Sequence, residues 1–539
     1  MIGVAATAEQ LQAVHEFFEL FKTPWEPAVS GRKYDAVLST DGRGGTFDTD
    51  VHLVYGSMEQ TSDREAGVVL SPHDGPTHVL WRGTPLPIYT RVTALGEAPE
   101  NDALTFGDRA VGRRRECGRR VVWRIGYDLF AEVVHLLTTG QPQRWASTPT
   151  LELHVDVLRH LLLDSGIAFV EIPPRPHEHD FVCCLTHDVD FFGIRRHRFD
   201  RTFAGFLLRA SAGTAADLVR GRRQLGEAIR NWSALLSLPL VFLNRRARDL
   251  WRPFDDYARA EEGLPSTFFL IPFSRRPGVA PDGTTNPVRG VAYGIADIAH
   301  EVRDAGRRGS EIALHGIDSW RDAQCGREER AQVASVTGRR PDGVRMHWLY
   351  FADRSARELE SAGFEYDSTC GYNDAVGYRA GTPQVFRMPG AERLLELPLT
   401  IMDTAMLYRG RMNLSMDSAL AACREIVAQV RRIGGALVIN WHDRSLSPER
   451  LWGRCYRQLL DELKANCRPW FATAAQAVAW FRWRRSFGFA SDAGGRVTIQ
   501  PGADRPDGPP AVVLVYRPGS PRSVEALRYD GVSPLTVQL

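Results

Sequence analysis

The 539-residue chain predicts an α/β fold whose central region is a set of parallel strands approaching a (β/α) barrel. Four apolar, strand-like runs each end on residues able to bind a metal or move a proton: Phe181 to Asp190 (FVCCLTHDVD), Glu311 to His315 (EIALH), Gly343 to His347 (GVRMH) and Gly435 to Asp443 (GALVINWHD). Parallel strands closed into a barrel gather their C-terminal ends on one face, so groups far apart in sequence would meet there. Beyond Pro176, moreover, strand-like runs alternate with helix-period stripes, the pattern of a parallel α/β architecture.

The elements divide the chain into three. Residues 1–176 read as an N-terminal α+β region: an amphipathic helix at the start, short strands such as Ala36 to Leu38 and Val51 to Tyr55, a turn cluster at Asp41 to Gly45, and helices over Tyr127 to Thr138 and Leu151 to Leu163. Pro173, Pro174, Arg175 and Pro176 form a stiff boundary segment. Residues 177–488 hold the barrel, with Ser266 to Pro272 and Leu394 to Met402 completing six strand candidates up to Asp443. Residues 489–539 return to short β-like runs among Gly, Pro and Asp and read as a small β-rich appendage.

Composition limits the functional classes. A net charge of +2 provides no global field toward nucleic acid. No segment reaches the ~20 uninterrupted apolar residues of a membrane span. The eight cysteines include no C-x-x-C pair, and the N-terminus lacks the basic start and apolar core of a secretion signal, so the expected location is the cytoplasm. An insertion at about 192–252 interrupts the alternation. Its arginine clusters (Arg195, Arg196, Arg198; Arg220, Arg222, Arg223; Arg245, Arg246, Arg248) are interleaved with apolar residues. A solvated helical lid accounts for it, and so does peripheral contact of residues 195–248 with an anionic membrane face or a lipid-linked sugar.

The strand-end residues suggest a division of labour. Asp188 and Asp190 share a face of their strand, so one can bind a cation while the other takes a proton from water. With His315 and His347, Asp190 supplies the three ligands of a catalytic zinc site with one position left open. His442 has the pKa range of a general acid, and Asp403, ending LELPLTIMD, is placed to accept its second N–H. Arg345 would hold Asp188 ionised, with Arg379 as the competing candidate. Trp348, Tyr350 and Trp441 are candidates for the walls of a sugar pocket.

With THDVD, STFFLIPF, EIALHGIDSW, GVRMHWLYF, IMDTAM and INWHD in this order, the region from about Phe181 to Phe481 resembles the polysaccharide deacetylase (NodB-homology, carbohydrate esterase 4) family. The resemblance implies a distorted (β/α) barrel, a divalent metal and hydrolysis of N-acetyl or O-acetyl groups on a carbohydrate; the His and Asp donors make zinc the expected ion, and the expected partner is a polysaccharide or a lipid-linked sugar. It assigns Asp188 as base, His315 as first metal histidine, Arg345 as the third-motif arginine and His442 as acid. The chain departs from the family at Val189, where a second aspartate is usual, and at Ser319, where a second histidine is usual. Deformylation of an amino sugar and a degenerate, non-catalytic carbohydrate binder are the alternatives.

Overall fold

In the computed structural model the described residues are 1–40, 47–65, 67–98, 104–198, 200–220, 224–244, 246–447, 449–450, 452–492, 494–519 and 522–539. The turn cluster expected at Asp41 to Gly45 and the arginines Arg222, Arg223 and Arg245 lie outside them.

A ten-stranded sheet organises the middle of the chain. Phe181–Val189 lies at its centre, buried along its whole length and paired in parallel with Ser266–Leu270 on one side and Ala436–Asn440 on the other. From Ser266–Leu270 the parallel order continues through Glu311–Gly316, Gly343–Met346, Tyr366–Asp367 and Leu395–Glu396. Strands buried on both faces read as continuous apolar runs, which is why FVCCL and ALVI stand out in the sequence.

The run Leu394 to Met402, expected as one strand, is two. Pro398 cannot donate to a ladder, and the segment changes partners around it. Leu395–Glu396 pairs with Tyr366–Asp367, while Ile401–Met402 pairs with Ala436–Asn440. The backbone N–H groups of Leu397 and Leu399 still donate to Asp367 and Cys370, whereas that of Thr400 donates to Val438. One segment thus bonds to both flanks of a sheet curled on itself. The strands Tyr366–Asp367, Phe386–Arg387 and Pro469–Phe471, three residues or fewer each, carry too little periodicity to be read from sequence.

At the N-terminus a six-stranded sheet contains Ile2–Ala5, paired in parallel with Ala36–Ser39. This corrects the expectation of a helix from the first residue: Ile2, Val4 and Ala5 are buried strand positions, and the helix is Leu11–Phe21. Near the C-terminus Ala511–Arg517 pairs with Ser523–Tyr529 and with Phe169–Glu171. The fully buried Arg484 ties these parts together by donating to the carbonyls of Leu20 and Ile172. All eight cysteines are free.

The 192–252 insertion is helical, with Arg201–Leu208, Thr214–Val219 and Leu225–Leu243 around a small apolar cluster of their own that includes Phe206, Leu238 and Trp251. Among the described residues no helix is long and apolar enough to cross a membrane.

Gly343 opens the strand that carries Arg345 and leads to His347, and a Cβ there would fall 1.8 Å from the ring of buried Tyr366. Gly343→Ala is therefore expected to lower the melting temperature in a thermal scan, with a cost on the order of 1–3 kcal/mol for overpacking. An unchanged melting temperature would contradict this packing.

Candidate active site

The C-terminal ends of the parallel strands bring Asp188, Asp190, His315, His347 and His442 to one cavity of about 200 Å3. Asp188 is the last but one residue of its strand and Asp190 lies just past its end, so the chain turns between them and the two carboxylates meet different partners.

Asp188 is buried. Its Oδ1 accepts from Arg345 Nη1 at 2.9 Å and its Oδ2 from Asn440 Nδ2 at 2.8 Å. Arg345 is wholly buried; it also donates to Thr186 Oγ1 and to the carbonyl and hydroxyl oxygens of Ser368, and it lies over the Phe269 ring at 4.3 Å. Burial alone would raise the Asp188 carboxyl, but the Arg345 guanidinium holds it below the usual carboxylate range. Arg379, the competing candidate, is exposed and stacks on Tyr372 instead.

Asp190, His315 and His347 form a three-cornered cluster. Asp190 Oδ1 lies 3.4 Å from His315 Nε2 and 3.3 Å from His347 Nδ1, and the two nitrogens are 3.0 Å apart. His315 Nδ1 is 2.9 Å from the Arg345 carbonyl, which can only accept, so Nδ1 carries the proton and Nε2 presents its lone pair to the cluster. Burial lowers the His347 imidazole, against the pull of Asp190, so the ring favours its neutral form. Among the described residues, Asp190 Oδ1 is buried without a hydrogen-bond partner. Ligand atoms at about 2.0–2.2 Å from a tetrahedral zinc ion lie roughly 3.3–3.6 Å from one another, close to the spacings found here. Two imidazoles and one carboxylate, with a buried carboxylate oxygen left over, fit a divalent cation.

Two backbone residues after His347, Trp348 and Leu349, have φ of +65° and +56°, a region that non-glycine residues seldom adopt. Their neighbours hold them in place: Arg289 Nη2 donates to the His347 carbonyl at 2.9 Å, and Asn373 Nδ2 to that of Trp348 at 3.1 Å. The result turns the Trp348 side chain to the cavity wall.

His442 is held by Asp403, which is fully buried. The imidazole Nδ1 lies 2.6 Å from Asp403 Oδ1, and the His442 backbone N–H donates to Oδ2 at 2.8 Å. Its Nε2 faces Asp190 Oδ2 at 4.0 Å. Burial pulls the imidazole down, but the Asp403 carboxylate more than reverses this, with Asp190 and Asp188 adding to it, and raises it to about 9. Asp443 also lines the cavity, and burial pushes it up to about 8.

All seven residues singled out for chemistry are thus brought together. Of the aromatic candidates, Trp348 lines the cavity but Trp441 does not: it is wholly buried against Tyr456, because the strand end points it to the opposite side from His442. Tyr350 stacks on Arg289. Ser319 also turns away, its hydroxyl donating to buried Glu329 at 2.5 Å, so it occupies no ligand position. Sequence reasoning missed Asn440, although its place two residues before His442 at a strand end was a usable signal. It also missed the cavity-lining Arg411, Arg444 and Arg450, which sit on loops with no periodicity to mark them.

No protein-family model matches the chain, and no curated protein does. Among solved structures it is similar to a protein described as a polysaccharide deacetylase from Mycobacterium smegmatis, with 19% identity and a TM-score of 0.35 over 58% of this chain and 95% of that one. It is also similar to PuuE allantoinase (15%, 0.35, covering 57% and 92%) and to the carbohydrate deacetylase Agd3 (10%, 0.36, covering 99% and 98%). At TM-scores this low the likenesses carry no weight for the chemistry of the site.

The Asp403–His442 pair has a pH signature. The folded value near 9 lies above the ordinary ~6.5, so the charged pair stabilises the fold fully below pH ~6.5, and that contribution is lost as pH rises through about 9. In metal-free protein, Asp403→Asn is expected to lower the NMR-titrated His442 value by roughly one unit or more and to flatten the stability loss across this window. An unchanged titration would contradict the pairing.

Proposed function

We propose that this chain is a metal-dependent hydrolase that removes N-acetyl, or O-acetyl, groups from a polysaccharide or glycan precursor, on a distorted barrel of the NodB type. The observation that supports it best is the three-ligand cluster of Asp190, His315 and His347 flanked in one cavity by Asp188, paired with Arg345, and by His442, paired with Asp403.

Asp190 Oδ1, His315 Nε2 and His347 Nδ1 would hold the cation, zinc by the chemistry of the donor set. When bound, such an ion supplies Lewis-acid polarisation of an acyl carbonyl and acidifies water. Asp188 receives the proton as the water oxygen attacks the acyl carbon. Held low by Arg345 it is a weak base, but it is ionised throughout the working pH range, and Asn440 fixes its Oδ2. As the carbon–nitrogen bond breaks, His442 Nε2 gives its proton to the leaving nitrogen, and Asp403 stabilises the charged ring beforehand. The products are the free amine and a carboxylate. Trp348 on the cavity wall offers a flat apolar face to a sugar ring.

Asp188→Asn and His315→Ala are each expected to reduce acetate release from N-acetylglucosamine oligomers by roughly a hundredfold or more, with His315→Ala also losing the bound metal. Activity unchanged in both would overturn the assignment. Formate released in place of acetate from a panel of acylated sugars would move the reading to a deformylase on the same site.

One feature of the insertion supports presentation of the glycan at a membrane. Along Leu225–Leu243, the residues Leu225, Ile229, Leu236, Leu240 and Leu243 are each more than half exposed at helical spacing, with Arg220, Arg230 and Arg246 exposed nearby. An apolar stripe flanked by arginines suits an anionic lipid surface. The protein is expected to co-sediment with vesicles containing anionic lipid, and the double change Leu236→Glu and Leu240→Glu to abolish it. Equal sedimentation of both proteins would rule this surface out.

A further inference from the structure

We propose that Arg411, Arg444 and Arg450 form an anion-binding subsite beside the candidate metal centre, and that the glycan processed there carries a negatively charged group, carboxylate or phosphate, close to its acyl group. This rests on the hydrolase reading above and narrows its substrate class.

All three arginines line the same cavity as Asp188, Asp190 and His442. Two of them are held in place by aromatic rings. Arg444 lies over Phe191 at 3.8 Å and Trp251 at 4.9 Å, and Arg450 over Trp452 at 4.5 Å and Tyr408 at 5.8 Å. Stacking fixes a guanidinium plane while leaving its N–H edge to donate. Among the described residues those donors are not all paired. Arg444 is only 6% exposed, yet among the described residues its Nη1 is buried without a hydrogen-bond partner, and so is Arg450 Nε. Arg411 donates to a neutral hydroxyl, Thr404 Oγ1, at 3.3 Å.

At Arg444 the charge points the same way, while Arg411 faces the acids Asp374, Asp403 and Asp190. The acids near Arg444 are Asp443 and Glu449, while Arg450 and Arg209, the latter on the insertion, crowd it with like charge. Burial, followed by that crowding, pulls the Arg444 guanidinium down to about 10. A buried donor left unpaired is costly, and arginines gathered at one cavity can be satisfied together by a single multivalent anion. Guanidinium groups match the paired oxygens of a carboxylate or phosphate, which a neutral sugar does not offer. Phe191 and Trp348 also line this cavity.

The test is calorimetric titration of the full chain with inorganic phosphate, with glucuronate and with uncharged glucose, each with and without added zinc. At least one anion is expected to bind saturably without zinc, and Arg444→Gln and Arg450→Gln each to weaken it by roughly tenfold or more. Preference for phosphate would indicate a phosphorylated sugar, and preference for glucuronate a uronic-acid glycan. Circular dichroism checks the fold, and if buried Arg444 does not tolerate the change, the less buried Arg450 decides. Absence of binding by either anion, binding only when zinc is present, or equal binding by the variants would overturn the subsite. Acetate release by the unmodified protein from a neutral N-acetyl oligomer is read separately, so failure of the subsite and failure of the hydrolase reading are told apart.

Discussion

A carboxylate taken out of water must be neutralised, and at the ends of these strands Asp188, Asp190 and Asp403 are packed close to one another, with Asp443 beside them pushed by burial up to about 8 and so toward its neutral form. Asp188 is answered by Arg345 and Asp403 by His442, both at hydrogen-bonding distance. Among the described residues Asp190 is met at close range by imidazole nitrogens, one of which presents a lone pair because its ring donates elsewhere. That imbalance governs the site. Two carboxylates have cationic partners built into the chain, and the third sits where a divalent ion completes the charge balance. The separation of roles follows: an ionised acceptor, a protonated donor and a ligand set, each held by its own partner.

The supporting structure serves the same end. Arg345 can be buried because Thr186, Ser368 and Asp188 take up its donors and Phe269 covers its face. Glu329 accepts from the backbone of Ile317 and Asp318 and from Ser319, fixing the loop that follows His315. Arg289 does the same after His347 through the carbonyls of Ile317 and His347. These buried charges lie outside the cavity chemistry, but each determines where a strand-end side chain points.

What could be read from the sequence was whatever burial writes into residue order. Strands covered on both faces appear as apolar runs, so their ends, and with them Asp188, Asp190, His315, His347 and His442, were visible. Asp403 was also visible, because a strand-like run ended on it. Less visible were features set by backbone geometry. The change of partners at Pro398 leaves LELPLTIM looking like one strand, and two-residue strands leave no periodicity at all. Adjacent residues at a strand end take opposite sides, so with His442 in the cavity Trp441 lies in the core and not in the wall. Loop arginines carry no pattern of their own, and only three dimensions bring Arg411, Arg444 and Arg450 to one cavity.

The central claim is that one cation sits among Asp190, His315 and His347. X-ray absorption at the metal edge of the purified, zinc-supplemented protein tests it most directly. The account predicts one ion per chain, with two imidazole nitrogens and at least one oxygen at about 2.0–2.2 Å, and loss of the nitrogen shell in the doubly substituted His315→Ala, His347→Ala protein. A protein that takes up no ion, or whose ion keeps the same ligand shell in that variant, would contradict it.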